Sequence, residues 1–371
     1  MRLSKSVVGA EEIEAVSRVI EAQYLGMGHE VQQFENEIKD YLGTAAEVVC
    51  VSTGTVAIQL ALEALDIGVG DEVLVPSITY VASFQAISAT GATPIACDVT
   101  SDKVFIDLED AERRLTVNTK AILPVHWASN SADMNAVYDF ARSHNLRVVE
   151  DAAQAFGCLR DGEKVGTKGD VICFSFDGIK NITSGEGGAV LAFDSVVAQR
   201  IRDARLLGVE KDTEQRYQGK RSWAFDVHRQ GWRSHMSNIM AAIGRAQLKK
   251  INSFAVRRRS YAKSYVELLS PIREITIFGF DYSQILPHIF TIRVQAEYRD
   301  ALKSFLEKEG IESGIHYQPN HLLSFFKTSY SLEQSEKLWT ELLTLPLHPD
   351  LSEADIIQVA HLIHQFFKNH A

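Results

Sequence analysis

The residues of this chain best suited to chemistry begin with a lysine that follows an apolar run. In FSFDGIKNITSGEGGAV, Phe174 to Val190, Lys180 leaves such a run and enters a turn crowded with glycine and small residues. Lysine is strongly hydrated. One placed here, between Ile179 and Ile182, either reaches back to water along its stem or serves a reaction that needs the amine. A lysine amine made neutral by desolvation or nearby positive charge can attack a carbonyl and later carry a proton. A second run, RVVEDAAQAFG from Arg147 to Gly157, ends in Glu150 and Asp151. Open α/β sheets bind ligands at the carboxyl ends of their strands, where Asp151 falls; as a helix N-cap it would read the same way. A third, VSTGTVAIQLAL from Val51 to Leu62, passes through Ser52, Thr53, Gly54 and Thr55 directly into a helical pattern. Free amides and the helix dipole at such a start suit a phosphate monoester, or simply an N-cap. Lysine, carboxylate and phosphate cradle together are what a pyridoxal-phosphate (PLP) site requires, because an anion beside the protonated pyridine nitrogen keeps the ring an electron sink.

Strands and helices must bring these groups together. Short apolar runs rich in β-branched residues predict strands at Val48 to Val51, Glu72 to Val75, Thr93 to Cys97, Lys120 to Val125, Arg147 to Glu150 and Val171 to Phe176. Helical patterns at Thr55 to Leu65, Val81 to Thr90 and Ala132 to His144 separate several of them, which predicts parallel strands joined by right-handed crossovers. Two helices precede the first strand, with apolar stripes at Ile13, Val16, Val19, Ile20 and at Val31, Phe34, Ile38, Tyr41, Leu42. A further helix starts at Met236 and runs toward Arg257-Arg258-Arg259, which reads as a solvated helix face. Beyond about residue 255 the pattern mixes a strand at 288–294, a helix near 298–309 and a terminal helix after Leu351, as in a smaller α+β domain.

Composition excludes several classes. The chain has 371 residues, enough for a main domain and a smaller one, with 46% hydrophobic and 23% charged residues, as globular enzymes have. A net charge of -10 argues against a general nucleic-acid or anionic-membrane surface. Cys50, Cys97, Cys158 and Cys173 form no CxxC pair and sit in or beside apolar runs, so they read as buried thiols. The opening residues lack the apolar core of a signal peptide, and no run approaches the ~20 apolar residues of a membrane span, so the cytoplasm is the expected location.

The motifs SVVGAEEIEAV, VSTGTVAIQLAL, VLVPSITYVASFQAISATGATPIACDV, ILPVHWASNSADM, VVEDAAQAFG, SFDGIKNITSGEGGAV, MSNIMAAIGRAQL, GIESGIHYQP and LPLHPDLSEADI follow one another along nearly the whole chain. In that order they resemble the DegT/DnrJ/EryC1/StrS family of sugar aminotransferases. The resemblance implies an α/β fold of the aspartate-aminotransferase type (fold type I). A large domain, residues 1–250, would hold a mainly parallel sheet between helices, with a smaller α+β domain at residues 251–371. It implies PLP as cofactor, an amino-acid donor (glutamate), a nucleotide-sugar acceptor, and a homodimer with active sites at the subunit interface. Position by position, Lys180 matches the Schiff-base lysine, Asp151 the partner of the pyridine nitrogen, and Gln154 the contact to the ring hydroxyl. Gly54, Thr55 and Ser175 match the phosphate cradle, and Tyr80 the aromatic ring over the cofactor. Asn181, His316 and Tyr317 fall near the sugar.

The chain departs from the family in two places. Where the family commonly reads glycine, aromatic, asparagine, aromatic, arginine, methionine, this chain reads Gly231-Trp232-Arg233-Ser234-His235-Met236, which puts Arg233 where an asparagine crosses to the partner's phosphate. A guanidinium there would bind phosphate as a charged fork. Asp177-Gly178 replaces a bulkier pair. Relatives without the lysine dehydrate their substrate, so Lys180 implies transamination. The form TSGEGGAV implies a 4-keto-6-deoxyhexose on dTDP, UDP or GDP, and an amino sugar for lipopolysaccharide O-antigen or a similar glycan. Aminotransfer at carbon three, aminotransfer to an inosose, and a non-catalytic PLP-binding regulator are the alternatives.

Overall fold

Short runs that are apolar apart from polar residues at their ends form the strands of a central sheet, as expected where both faces are covered by helices. The computed structural model describes residues 1–370; Ala371, the last residue of the expected small domain, lies outside the described residues. β1 (Glu47–Val51), β2 (Glu72–Pro76), β3 (Thr93–Cys97), β4 (Thr119–Ile122) and β5 (Arg147–Asp151) precede a small hairpin, β6 (Leu159–Arg160) and β7 (Glu163–Lys164). β8 (Val171–Ser175) and β9 (Gly188–Ala192) complete the set. A seven-stranded sheet takes the order β1-β9-β8-β5-β4-β2-β3. Its strands are parallel except β9, which pairs antiparallel with both β1 and β8. The sequence did not predict β9; with it the sheet is mixed but mainly parallel, as the family resemblance implied.

Successive side chains point to opposite faces. Val49, Val51, Val149, Val171, Cys173 and Val190 enter one core with the helices Gly54–Ala64, Ala82–Ala89 and Ser195–Ala204. Val48, Cys50, Ile172, Phe174 and Leu191 enter the other with His29–Leu42 and Asn238–Leu248. A second, antiparallel sheet of β10 (Ile275–Ile277), β11 (Phe290–Val294) and β12 (Leu342–Leu345) packs with helices Ile251–Leu269, Ala296–Lys308 and Glu353–His370 around a third core. The helix Ile251–Leu269 places Ile251 in the second core and Tyr261, Tyr265 and Leu269 in the third. Residues at the very start of the chain also join this sheet's surroundings: Glu312 donates its amide to the Met1 carbonyl (2.9 Å) and Leu347 to that of Leu3 (3.1 Å).

Two sequence expectations are corrected. The helix Ala10–Glu21 leaves Ile13 and Ile20 of the expected stripe exposed and buries Glu12 and Ala15 beside Val19. Glu12 is drawn inward because its carboxylate accepts hydrogen bonds from the Gly9 amide (2.7 Å) and Gln247 (2.8 Å) and pairs with Lys250. The basic run is not solvated throughout. Arg258 is buried, donating to the carbonyls of Pro287, His288 and Leu347 at 3.0–3.2 Å. All four cysteines are free and buried, as expected. Among the described residues no helix is long and apolar enough to cross a membrane.

Candidate active site

Three strand ends converge on one pocket. At the end of β1, Thr53 caps the helix Gly54–Ala64 by accepting the Val56 amide (3.1 Å), which leaves the first helical amides pointing out of the N-terminus. Gly54 is required there: a Cβ would stand 2.7 Å from the Ser175 Cβ at the end of β8. Gly188, at the start of β9, presses still closer, since its Cβ would lie 2.4 Å from the Thr53 carbonyl oxygen. At the end of β5, Asp151 accepts a hydrogen bond from Ser83 Oγ (2.7 Å) and one from the Ala153 amide (3.1 Å). No helix follows this strand directly, so the N-cap role considered for Asp151 is not realised. Lys180 sits in the loop joining β8 to β9, with its amide held by the Asp177 carbonyl (3.1 Å).

These groups line a cavity of about 420 Å³. Burial holds the Lys180 amine below the ordinary lysine range, against the pull of Asp151 and Asp177. That direction favours the neutral nucleophile. Gln154 is pinned between the Ala128 amide, which donates to its Oε1 (2.8 Å), and the Tyr317 hydroxyl, which accepts from its Nε2 (3.2 Å). Tyr317 stands 5.8 Å from Tyr80, centroid to centroid, and the two rings form an aromatic wall, Tyr80 being 59% exposed at the mouth. His316 pairs through Nδ1 with Thr344 Oγ1 (2.9 Å), and burial with nearby Lys180 pushes its imidazole down to about 4.

Nine of the residues singled out from sequence line this pocket: Lys180, Gly54, Thr55, Tyr80, Asp151, Gln154, Ser175, His316 and Tyr317. Asn181 does not. Its amide nitrogen turns away to the carbonyls of Phe156 (3.0 Å), Leu286 (3.1 Å) and Gln154 (3.4 Å), so it fastens the lysine loop to its surroundings. Arg233 is exposed and lies outside the pocket, its main chain bridged to Leu206. His235 is half-buried beside Arg205, Arg216 and Arg233, and burial together with those cations pushes it down to about 4. Thr79, Asp177, Glu186 and His288 also line the pocket. Sequence reasoning gave none of these four a role, and only Asp177 had carried a signal, as a departure from the family pattern.

The profile of the DegT/DnrJ/EryC1/StrS aminotransferase family matches residues 7–364. The chain belongs to this family. As a family member it is a PLP-dependent aminotransferase of fold type I. The aminotransferase TlmJ of Streptoalloteichus hindustanus is 31% identical, with a TM-score of 0.93 over 100% of both chains. DesV of S. venezuelae, solved in complex with a ketimine intermediate, is 34% identical with a TM-score of 0.88, over 96% of this chain and 94% of its own. Spr1654 of Streptococcus pneumoniae, a proposed sugar aminotransferase, is 27% identical in its PMP form, with a TM-score of 0.91 over 100% of this chain and 99% of its own.

Proposed function

We propose that this aminotransferase moves an amino group from an amino acid, glutamate being the expected donor, to carbon four of a nucleotide-linked 4-keto-6-deoxyhexose. The observation that carries the reading is Lys180 and Asp151 lining one open pocket whose wall is the Tyr80–Tyr317 pair. The residues present fit PLP: a buried carboxylate at a strand end for the ring nitrogen, and for the phosphate a helix N-terminus at Gly54, which packs so close to Ser175 that a Cβ there would clash with it. When bound, PLP supplies the aldehyde and electron sink that store the amino group between half-reactions. Lys180 Nζ takes the proton from the donor's α-carbon and later delivers one to the sugar carbon. With PLP bound, Asp151 would face the ring nitrogen and keep it protonated, and Gln154 would face the ring hydroxyl. Tyr80 would lie beside the ring, with His316 and Tyr317 left for the sugar. The product would be an amino-deoxy sugar for lipopolysaccharide O-antigen or a similar glycan, made in the cytoplasm.

Charge supports a second copy at the site. Among the described residues Lys180 is the one cationic side chain lining the pocket, facing Asp151, Asp177 and Glu186. Phosphate and nucleotide diphosphate add negative charge that these residues cannot balance. Arg233 is exposed on a stretch that also exposes Trp223, Phe225 and Trp232, and a homodimer would bring it to the partner's pocket. The test mixes two inactive proteins. Subunits carrying Lys180→Ala and subunits carrying Arg233→Ala should regain activity together, because one site of each mixed dimer is then intact; no recovery would overturn the shared site. For the substrate, enzyme, glutamate and a panel of nucleotide keto sugars should yield one product heavier by about one mass unit, as ketone becomes amine. Turnover of a free inosose, with no protection by nucleotide diphosphates, would overturn the nucleotide-sugar assignment.

A further inference from the structure

We infer that His288 is a positioning residue for Lys180: its imidazole, set between the lysine pocket and a small cavity, offers the moving amine a nitrogen that no protein group satisfies in the structure. His288 is 4% exposed and lines the same pocket as Lys180. It also lines a small cavity of about 20 Å³, where Ser4, His316 and Thr344 are the other polar residues among leucines and isoleucines. That space is large enough for about one water molecule. Nδ1 of His288 has no hydrogen-bond partner in the protein. Buried polar atoms left in this condition are costly and uncommon, and they mark places where a ligand, a water or a moving group completes the bonding.

The main chain around His288 is fixed more firmly than a space-filling side chain requires. Its amide donates to Ser129 Oγ (2.9 Å), and Ser129 Oγ in turn donates to the Gln154 carbonyl (2.5 Å). Its carbonyl accepts from the buried guanidinium of Arg258 (3.0 Å). Two residues earlier, the Leu286 carbonyl accepts from Asn181, the residue next to Lys180 (3.1 Å). The lysine loop, the Gln154 turn and the segment carrying His288 are therefore fastened to one another, so the main chains that carry the imidazole and the amine keep a constant relation.

Charge sets what the imidazole can do there. Burial, then Lys180, Arg258 and His316, hold it well below the ordinary histidine range, so it stays neutral and can accept a hydrogen bond from the lysine without adding positive charge. His316 is already occupied, with Nδ1 on Thr344 and its carbonyl on the Trp127 indole (3.0 Å). His288 differs from it in that its Nδ1 is buried and has no hydrogen-bond partner.

The inference rests on Lys180 as the reactive amine, and the test separates the two. In the holoenzyme, His288→Phe keeps a ring without nitrogen, and His288→Gln restores a hydrogen-bonding group. With His288→Phe, kcat of the donor half-reaction should fall about 100-fold. KM for donor and sugar nucleotide should stay within about threefold. The midpoint of the cofactor's absorbance change with pH, read in resting enzyme, should move by about one unit. His288→Gln should recover at least roughly a tenth of the lost rate. A Phe variant that titrates and turns over like the wild type would overturn the role. So would equal losses in both variants with matching drops in thermal midpoint, which mark packing alone. Failure of the underlying reading looks different: the wild type itself would show no cofactor colour fixed to Lys180 by borohydride, and this inference would fall with it.

Discussion

Glu150 and Asp151 are adjacent on β5, and strand alternation sends them to opposite surroundings. Glu150 is fully buried, 2.9 Å from His126 Nε2, and accepts hydrogen bonds from Tyr138 (2.7 Å) and Arg160 (3.0 Å). Burial would raise its pKa, yet His126, Arg160 and Tyr138 together hold the carboxyl below the ordinary glutamate range. Asp151 has only Ser83 and the Ala153 amide, and it faces the pocket that holds Lys180. A carboxylate with every lone pair engaged fixes a fold, whereas one with acceptor capacity left over can meet a ligand.

Substitutions can break or sharpen that contrast. Lys180→Ala should cut turnover by at least about 10⁴-fold while leaving the thermal midpoint close to wild type, measured by steady-state kinetics and calorimetry. Asp151→Asn, which can still accept from Ser83, should lower kcat by about 10²–10³-fold and weaken cofactor retention on gel filtration, with little loss of stability. Glu150→Gln should do the reverse. Leaving Arg160 without its charged partner costs about 3 kcal/mol in denaturant titration, with kcat within about threefold of wild type. If the stability losses of the two carboxamide variants came out equal, the contrast between the carboxylates would be lost.

The smallest effect concerns pH. His316 is depressed to about 4 and His288 lies well below the ordinary histidine value of 6.5, so the unfolded chain binds more protons than the folded one between these limits. Stability is therefore fully present above about pH 6.5 and falls as pH drops toward about 4. Denaturation midpoints at several pH values should show this slope, and His316→Gln should flatten it.

Much of this arrangement was legible because buried parallel strands are written as apolar runs, and β3 matches its run residue for residue. β9 was hidden because GAVLA continues a glycine-rich turn and carries a single β-branched residue. Arg258 was misread because a charge run says nothing about carbonyls brought in from distant segments. The site divides similarly. Lys180, Asp151 and Gly54 stand at strand ends where sequence and geometry agree. Asn181 adjoins the lysine in sequence but points elsewhere, and His288 looked like the first residue of a strand. Neither side chain's surroundings follow from local pattern.

The antiparallel course of β9 has a consequence for how the enzyme comes into being. β1 touches no strand of the sheet but β9, so the strand that leads into Thr53 and Gly54 must wait for a segment made much later in synthesis. A nascent chain that ends before Gly188 carries the lysine yet has nowhere to seat an anion. Assembly of the pocket is thus a long-range event that cannot be completed before about half of the chain has been translated.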